Sequence, residues 1–212
     1  FMSPTRFCIV RHGETAWNAQ RRIQGQLDIA LNDTGRAQSR ALAAVLAGRL
    51  FAALYASDLA RARQTAQAAA ETLGLEVRLS PVLRERHYGV FQGLTHDEAR
   101  ARHSDHYRRF ECRDTHFGFD TGESLLQFQS RVMDGLSALA RAHPGGDVLV
   151  VSHGGILDIA RRAATGTSLQ AQRDFPLPNA ALNWLAYDDG AWRLLAWAQN
   201  ATQAPSLDEL AG

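Results

Sequence analysis

The sequence predicts an α/β fold in which helices cover a mostly parallel sheet. Short apolar runs alternate with longer segments in which apolar residues recur every three to four positions. The order strand, long loop, helix, strand, helix, strand is typical of a parallel sheet with helices packed against it. The elements predicted in this first part are strands at 5–10, 52–56 and 76–79 and helices at 33–50 and 59–73.

Residues with capping preferences mark the ends of these helices. Asp33 or Thr34 can cap the first helix, and the pair Ser57-Asp58 can cap the second, which Gly74 ends. Arg61 then lies in the first turn of the second helix, just after the second strand. Arg63 lies two residues further, roughly on the opposite side, where a solvated charge is expected.

The second half of the chain contains a long helix, the clearest buried strand and a hairpin. Leu125, Phe128 and Val132 recur at helical spacing in a helix predicted from about 121 to 142. Between 81 and 121 the periodicity breaks down, and one or two short helices over 95–110 are expected to lie over a site. The other predicted elements are strands at 147–151, 182–187 and 192–197, a helix at 156–165 and a loose tail or terminal turn after Ala201.

The composition is that of a single globular domain. Of 212 residues, 45% are apolar and 21% charged, and neither a linker nor a repeat divides the range 2–212. The formal net charge of +1 gives no argument for binding to nucleic acid or to a membrane. Two cysteines are too few for a disulfide framework or a zinc site. We therefore expect a soluble, cytoplasmic protein that binds neither nucleic acid nor a membrane.

Two of the predicted strands end in nearly the same way. His12 follows the first strand within Val10-Arg11-His12-Gly13, and His153 follows the strand at 147–151 within Ser152-His153-Gly154-Gly155. In a parallel sheet both imidazoles emerge at the edge where ligands bind. A single histidine at a strand end is often structural, but two at matching positions favour a site in which one attacks and the other holds the transferring group.

Nearby arginines indicate which group these histidines would act on. Arg11 and Arg61 can converge on one anion, because each guanidinium group can form bidentate hydrogen bonds with phosphate oxygens. Two histidines, two arginines and no aspartate cluster for a cation point to phosphoryl transfer through a phosphohistidine without a metal. Glu85, in a glycine-flanked loop after the third strand, is the candidate proton donor. Its alternative role is a solvated ion pair with a neighbouring arginine.

These residues belong to an ordered set of motifs that covers nearly the whole chain. The set consists of Arg11-His12-Gly13-Glu14-Thr15 with Trp17-Asn18, Arg22-Ile23-Gln24-Gly25, Leu31 through Gly35, Ser57-Asp58-Leu59 with Arg61 and Thr65-Ala66, Glu85 with Gly89, Gly122-Glu123-Ser124 and Ser152-His153-Gly154. In this order the motifs resemble the histidine phosphatase superfamily, which contains the cofactor-dependent phosphoglycerate mutases. The resemblance implies a three-layer α/β/α sandwich of the phosphoglycerate mutase type.

The resemblance also implies roles for the matching residues. His12 would be the phosphorylated nucleophile, and Glu85 would be the acid that later activates water. Arg11, Arg61 and His153 would hold the phosphoryl group, and no metal is implied. The further substrate ligands expected are Asn18, Gln24, Gly25, Arg86, Tyr88 and Gly154.

The sequence leaves two activities open. Arg86 and Tyr88, within Glu85-Arg86-His87-Tyr88-Gly89, resemble the mutase form of the acid loop, and a mutase would use 2,3-bisphosphoglycerate as cofactor. His96 stands in the region where mutases usually carry a lysine, and the chain is short. A short chain has less material to keep water out of the site, and a phosphohistidine that water can reach is hydrolysed. This favours a phosphatase that acts on a small phosphorylated metabolite. The sequence is most similar to short, mutase-named bacterial proteins that are expected to act as phosphatases. Gln92, where many phosphatases have glutamate, is a departure from that pattern.

A non-catalytic member that only binds phosphorylated ligands is a further alternative. Such members usually lose a core histidine or arginine, and none is missing here. The segment at about 93–122 is expected to act as a lid-like insertion, with Arg108 and Arg109 as candidates to reach over the pocket. His103 and His106 have a spacing that could bind a metal, but no third ligand is in register, so solvated or lid-lining roles are expected. A homodimer is possible.

Overall fold

The computed structural model describes residues 3–200, which form a six-stranded sheet with helices on both faces. The strands are β1 (Thr5–Arg11), β2 (Ala53–Ala56), β3 (Val77–Leu79), β4 (Asp147–Ser152), β5 (Leu182–Asp188) and β6 (Ala191–Gln199). The helices are α1 (Ala16–Ala19), α2 (Asp33–Leu46), α3 (Ala60–Leu73), α4 (His96–Arg102), α5 (Ser104–Glu111), α6 (Leu125–Ala142) and α7 (Gly154–Thr165). Two 3-10 turns lie at Pro81–Leu83 and Gly89–Phe91.

The strand order β3-β2-β4-β1-β5-β6 confirms the mostly parallel sheet. β1 pairs with β4, β4 with β2 and β2 with β3, all in parallel, whereas β5 and β6 pair in antiparallel fashion at one side. The carboxyl ends of the four parallel strands therefore lie side by side. Arg11 is opposite Ser152 in the β1–β4 register, so His12 and His153 leave the sheet together.

Alternating side chains of β1 show how the sheet separates two hydrophobic layers. Phe7 and Ile9 pack into the core formed with α6 and α7, whereas Cys8 and Val10 pack into the core formed with α2 and α3. All four side chains are fully buried, and burying a side chain of this kind stabilises a fold by about 1.5–3 kcal/mol. The three-layer α/β/α sandwich is thus confirmed.

Several helix ends differ from the sequence prediction for local reasons. The helix α2 stops at Leu46 rather than near Leu50, since Ala47 takes an extended ψ of 134° and Gly48 after it a positive φ of 78°. The helix α6 begins at Leu125 rather than near 121, because Ser124 caps it. The short helix α1 was not predicted; Thr15 starts it within the long polar loop after β1.

The start of α3 shows a cap that the sequence did not reveal. The expected pair Ser57-Asp58 does not cap this helix, since Asp58 forms an ion pair with Arg84 instead. The backbone N–H of Ala60 donates to Oδ1 of Asp28, a residue of the polar loop, over 2.7 Å. This bond fixes the loop against the helix that carries Arg61.

The region between β3 and α6 forms a subdomain with its own aromatic cluster. Its two short helices, α4 and α5, were predicted as one or two helices over 95–110. The cluster consists of Ile23, Phe91, Ala99, Tyr107, Phe110, Phe117 and Phe119. Ile23 belongs to the loop after β1, so the cluster joins this subdomain to the loop that borders the site. Of the helices within residues 3–200, none is both long and apolar enough to cross a membrane, and the tail predicted after Ala201 lies outside that range.

Candidate active site

The parallel strands bring four of the predicted site residues to one edge of the sheet. His12 follows β1, His153 follows β4, Arg61 lies in the first turn of α3 after β2, and Glu85 follows β3 and a 3-10 turn. The ring centroids of His12 and His153 are 5.2 Å apart. Distant parts of the sequence thus meet because the strands are adjacent in the order β3-β2-β4-β1.

The ring of His12 is fixed in the orientation and tautomer that a nucleophile needs. Its Nδ1 lies 2.7 Å from the carbonyl oxygen of Gly13, which can only accept, so Nδ1 carries the proton and Nε2 has the lone pair. The residue is 3% exposed. Burial, together with the charges of Arg61 and Arg11, holds the pKa of His12 well below its usual value of 6.5. The imidazole is therefore neutral at physiological pH.

Every nitrogen of the Arg61 guanidinium is positioned by a hydrogen bond. Nη1 donates to the carbonyl of Leu27 over 2.8 Å and Nη2 to that of Gly25 over 2.6 Å, so the polar loop holds the group. Nε donates to Nε2 of His12 over 3.3 Å. Burial lowers the pKa of Arg61 to about 10, which still leaves it charged at neutral pH. A fixed cation therefore faces the Nε2 lone pair of His12.

Arg11 and the backbone around Gly13 complete the base of the site. Nη1 of Arg11 donates to the carbonyl of Leu177 over 2.8 Å, and the residue lines the central cavity. The backbone N–H of Gly13 donates to Oγ1 of Thr65, one turn along α3 from Arg61. A Cβ at position 13 would lie 2.6 Å from the carbonyl oxygen of Gly35, so only glycine fits this turn.

His153 is fully buried behind the cavity wall. Its Nε2 is 2.8 Å from Oγ of Ser57, and its Nδ1 makes no hydrogen bond within residues 3–200. Burial, with the charge of Arg61, holds the pKa of His153 well below 6.5, so the ring is neutral without substrate. A protonated His153 would thus require the negative charge of a bound phosphoryl group nearby.

The carboxylate of Glu85 is aimed by two backbone donors. Oε1 accepts from the N–H of Arg86 over 2.7 Å, and Oε2 accepts from the N–H of Gly155 over 3.0 Å. A Cβ on Gly155 would come within 2.1 Å of Oε1 of Glu85, so this glycine makes the close approach possible. The alternative ion pair with Arg84 does not form, since Arg84 pairs with Asp58.

These groups border one cavity of about 110 Å³. Of the predicted site residues it is lined by Arg11, His12, Gln24, Gly25, Arg61, Glu85, Arg86, Tyr88 and Gly154. Asn18 does not line it; its side-chain oxygen accepts the N–H of Thr15 in the cap of α1. Gln24 is held by the hydroxyl of Thr15, which donates to its Oε1 over 2.8 Å. Asn18 thus shapes the loop that borders the cavity.

The acid loop is tied to the subdomain between β3 and α6 and to the polar loop after β1. The guanidinium of Arg86 donates to the carbonyls of Glu123 and Phe117 and lies 4.7 Å above the ring of Phe119. Oε1 of Gln92 accepts the N–H groups of Gln26 and Tyr88, over 2.9 and 3.2 Å. A glutamate carboxylate could accept the same two bonds, so glutamine at this position preserves the geometry.

Sequence reasoning missed several residues that shape the site. Nδ2 of Asn179 donates to the carbonyl of His12 over 2.8 Å. Ser57, Thr65 and Gly155 contact site residues directly, as described above. Asp158, Arg113 and Arg173 also line the cavity. The one available signal was Asp158 itself, an acidic residue within the apolar run of α7.

Comparison with known proteins identifies the family. A family model described as histidine phosphatase superfamily (branch 1) matches residues 7–200. The chain belongs to this superfamily. A metal-independent phosphoserine phosphatase of Arabidopsis thaliana is 39% identical over 92% of this chain and 81% of its own length. A probable phosphoglycerate mutase GpmB of Enterobacter is 34% identical over 95% of this chain and 97% of its own.

A solved structure supports the same assignment. A mycobacterial glucosyl-3-phosphoglycerate phosphatase superposes with a TM-score of 0.82 at 32% identity, covering 92% of this chain and 99% of its own. The predicted superfamily and its fold are therefore confirmed, and the histidine phosphatases include relatives named as phosphatases and as mutases. Within residues 3–200, no group of three or more histidine, cysteine, aspartate or glutamate side chains is placed to hold a metal ion.

Proposed function

We propose that this histidine phosphatase is a metal-independent phosphomonoesterase that works through a phosphohistidine at His12. The observation that carries the proposal is the state of His12. Its imidazole is buried and neutral, its Nδ1 is hydrogen-bonded to the carbonyl oxygen of Gly13, and its Nε2 faces the Arg61 guanidinium. The relative named as a metal-independent phosphoserine phosphatase supports a reaction without a metal.

In the first step Nε2 of His12 attacks the phosphorus atom. An N–P bond forms while the bond between phosphorus and the ester oxygen breaks, and Glu85 gives its proton to the leaving oxygen. Arg61 gives up its bond to Nε2 and donates to a phosphoryl oxygen instead. The positive charges of Arg61, Arg11 and protonated His153 balance the negative charge on the transferring group.

In the second step water replaces the histidine on phosphorus. Glu85, now a carboxylate, takes a proton from the attacking water as the O–P bond forms and the N–P bond breaks. Inorganic phosphate leaves, and His12 returns to its neutral form. The two backbone donors to Glu85 keep the carboxylate at the same place in both steps.

A mutase is the second candidate, because relatives named as mutases align over nearly the entire chain. In that reaction the phosphohistidine returns its phosphoryl group to a sugar-acid intermediate rather than to water, and 2,3-bisphosphoglycerate primes the enzyme. The cavity volume of about 110 Å³ favours a small phosphorylated substrate in either case. The cytoplasmic location and the homodimer stay predictions.

Parallel assays distinguish these activities. Enzyme treated with a chelator is given p-nitrophenyl phosphate, and separately 3-phosphoglycerate with and without 2,3-bisphosphoglycerate. We expect phosphate release that survives the chelator and exceeds isomerisation. Isomerisation faster than phosphate release would make the enzyme a mutase, and loss of activity on chelation would overturn the metal-free reaction.

A further inference from the structure

Glu123 and Arg131 form an ion pair beside the loop that carries Glu85. Glu123 lies just before α6, and Arg131 lies on that helix about two turns later. Nε of Arg131 donates to Oε1 of Glu123 over 2.7 Å and Nη2 donates to Oε2 over 2.8 Å, so the contact is bidentate. Neither residue lines the central cavity. They can therefore act on a substrate in that cavity only through other residues.

The other donors of Arg131 hold the backbone that leads to the acid. Nη1 donates to the carbonyl oxygens of Val82 and Arg84 over 2.8 and 2.9 Å. Nη2 also donates to the carbonyl oxygen of Glu85 itself, over 3.1 Å. Together with the ion pair, these bonds use all five N–H groups of the guanidinium. One side chain thus fixes the path of the chain up to Glu85.

Glu123 holds the same loop just after the acid. Its Oε2 accepts the backbone N–H of His87 over 2.8 Å, and its own N–H donates to the carbonyl oxygen of His87 over 2.9 Å. Burial disfavours the charge of Glu123, but the hydrogen bonds from Arg131 and His87 lower its pKa below the usual 4.5. The side chain is therefore a carboxylate at neutral pH, and one ion pair holds the acid loop on both sides of Glu85.

The carboxylate of Glu85 depends on how this loop lies against α7. One of its two backbone donors, the N–H of Arg86, moves with the loop, whereas the other, the N–H of Gly155, belongs to α7. Arg131 lies on α6, which shares a hydrophobic core with α7. Its guanidinium therefore joins the acid loop to the helical layer that carries Gly155. A change in these bonds would move the carboxylate relative to the cavity.

We propose that Arg131, paired with Glu123, positions Glu85 for proton transfer to the leaving oxygen. Both are positioning residues, because they contact the loop that carries the acid and not the cavity. The inference rests on the proposed function, in which Glu85 is the acid. A displacement of about 1 Å can cost about a hundredfold in rate. The contribution of the pair is therefore largest for esters whose leaving oxygen must be protonated.

Two esters of similar size separate positioning of the acid from general damage to the site. Benzyl phosphate releases an alkoxide that needs a proton, whereas p-nitrophenyl phosphate releases nitrophenolate without one. In Arg131→Gln we expect kcat on benzyl phosphate to fall by about 10- to 100-fold more than kcat on p-nitrophenyl phosphate. KM should change little for either ester, since Arg131 does not line the cavity.

Two conservative variants grade the effect. Arg131→Lys keeps the charge and three donors but loses the planar fork, so it should restore part of the selective loss. Glu123→Gln keeps an acceptor for the N–H of His87 but loses the ion pair, so it should show a smaller loss in the same direction. Arg141→Gln removes an exposed arginine from the last turn of the same helix and should leave both rates unchanged.

A double-variant cycle assigns the effect to Glu85. In Glu85→Gln the acid is already absent, so adding Arg131→Gln should cost little more on benzyl phosphate. A merely structural role of Arg131 would instead lower the rate by the same factor in both backgrounds. Rates of the single and double variants on the two esters complete the cycle.

Equal losses on the two esters in Arg131→Gln, unchanged rates, or losses that multiply in the double variant would each overturn the inference. If Arg131→Gln does not fold, Glu123→Gln decides the question by the same comparison. Glu85→Gln separates the two proposals: a loss selective for benzyl phosphate there, with none in the Arg131 and Glu123 variants, refutes the positioning role alone. Equal losses in Glu85→Gln refute Glu85 as the acid, and the positioning role with it.

Discussion

The Nε–H of Arg61 points at Nε2 of His12 over 3.3 Å, while Nδ1 on the other side of that ring is 2.7 Å from the carbonyl of Gly13. One imidazole is thus held between a backbone acceptor and a buried cation. The acceptor sets the tautomer, and the cation disfavours protonation of the nitrogen that must attack. Both effects keep the ring neutral with a lone pair on Nε2, which is the state that the proposed nucleophile needs.

The first prediction concerns the protonation of His12. Burial and the charges of Arg61 and Arg11 favour the neutral ring, so its pKa in the folded protein lies below 6.5. Imidazole NMR of isotope-labelled protein should show that His12 is still neutral at pH 6.5, the usual pKa of histidine, with its proton on Nδ1. The spectrum of His12→Ala assigns the signal. A midpoint at or above 6.5 would contradict the described electrostatics.

The second prediction tests Glu85 as the proton donor. Glu85→Gln keeps the shape and an acceptor for one backbone N–H but cannot give a proton to the leaving oxygen. Turnover of an alkyl phosphate should fall by about 10²- to 10⁴-fold, and that of p-nitrophenyl phosphate by much less, since nitrophenolate leaves without protonation. Steady-state rates on both esters provide the comparison. An equal loss on the two would mean that Glu85 is not the acid.

The third prediction concerns the glycine beside Glu85. A Cβ at position 155 would lie 2.1 Å from Oε1 of Glu85, so Gly155→Ala must displace the carboxylate. A shift of about 1 Å can cost about a hundredfold in rate, and we expect a loss of that order with little change in thermal stability. Gly118→Ala is the matched control, since its nearest contact would be an ordinary 3.4 Å. Wild-type kcat in Gly155→Ala would be inconsistent with the placement of Glu85.

The fourth prediction concerns the buried ion pairs of Asp158 with Arg113 and Arg162. Asp158→Asn leaves Arg113 and Arg162 buried without their carboxylate, and removal of one partner from a buried pair costs about 3–5 kcal/mol. Urea unfolding measures the free energy. Asp97→Asn, which breaks an exposed pair with Arg100, should change it little. If the two variants unfolded at the same urea concentration, the buried ion pairs of Asp158 would not stabilise the fold.

The histidine pair and Arg61 could be predicted because strand ends determine where they lie. β1 and β4 were recognisable as apolar runs, and parallel pairing of such runs places the residues after them at one edge. Arg61 followed from the start of a helix after β2. These positions depend on local periodicity and on the direction of strands, both of which can be read from the sequence.

The rest depends on loops that meet far apart in the chain. The cap of α3 comes from Asp28, a loop residue 32 positions before Ala60, and Arg113 reaches Asp158 across 45 positions. The path of the segment between β3 and α6 follows from aromatic packing around Phe91 rather than from any helical or strand period. No spacing in the sequence specifies such contacts, so the part of the cavity lined by Arg113, Asp158 and Arg173 could not be predicted.

The measurement that tests the central claim most directly is the capture of the phosphorylated enzyme. The protein is mixed briefly with a radiolabelled phosphomonoester and denatured, and the label on the chain is then followed in acid and in base. The account predicts an acid-labile, base-stable adduct on His12 that His12→Ala does not form. A phosphoserine-like adduct, an adduct that persists in His12→Ala, or turnover without any adduct would contradict it.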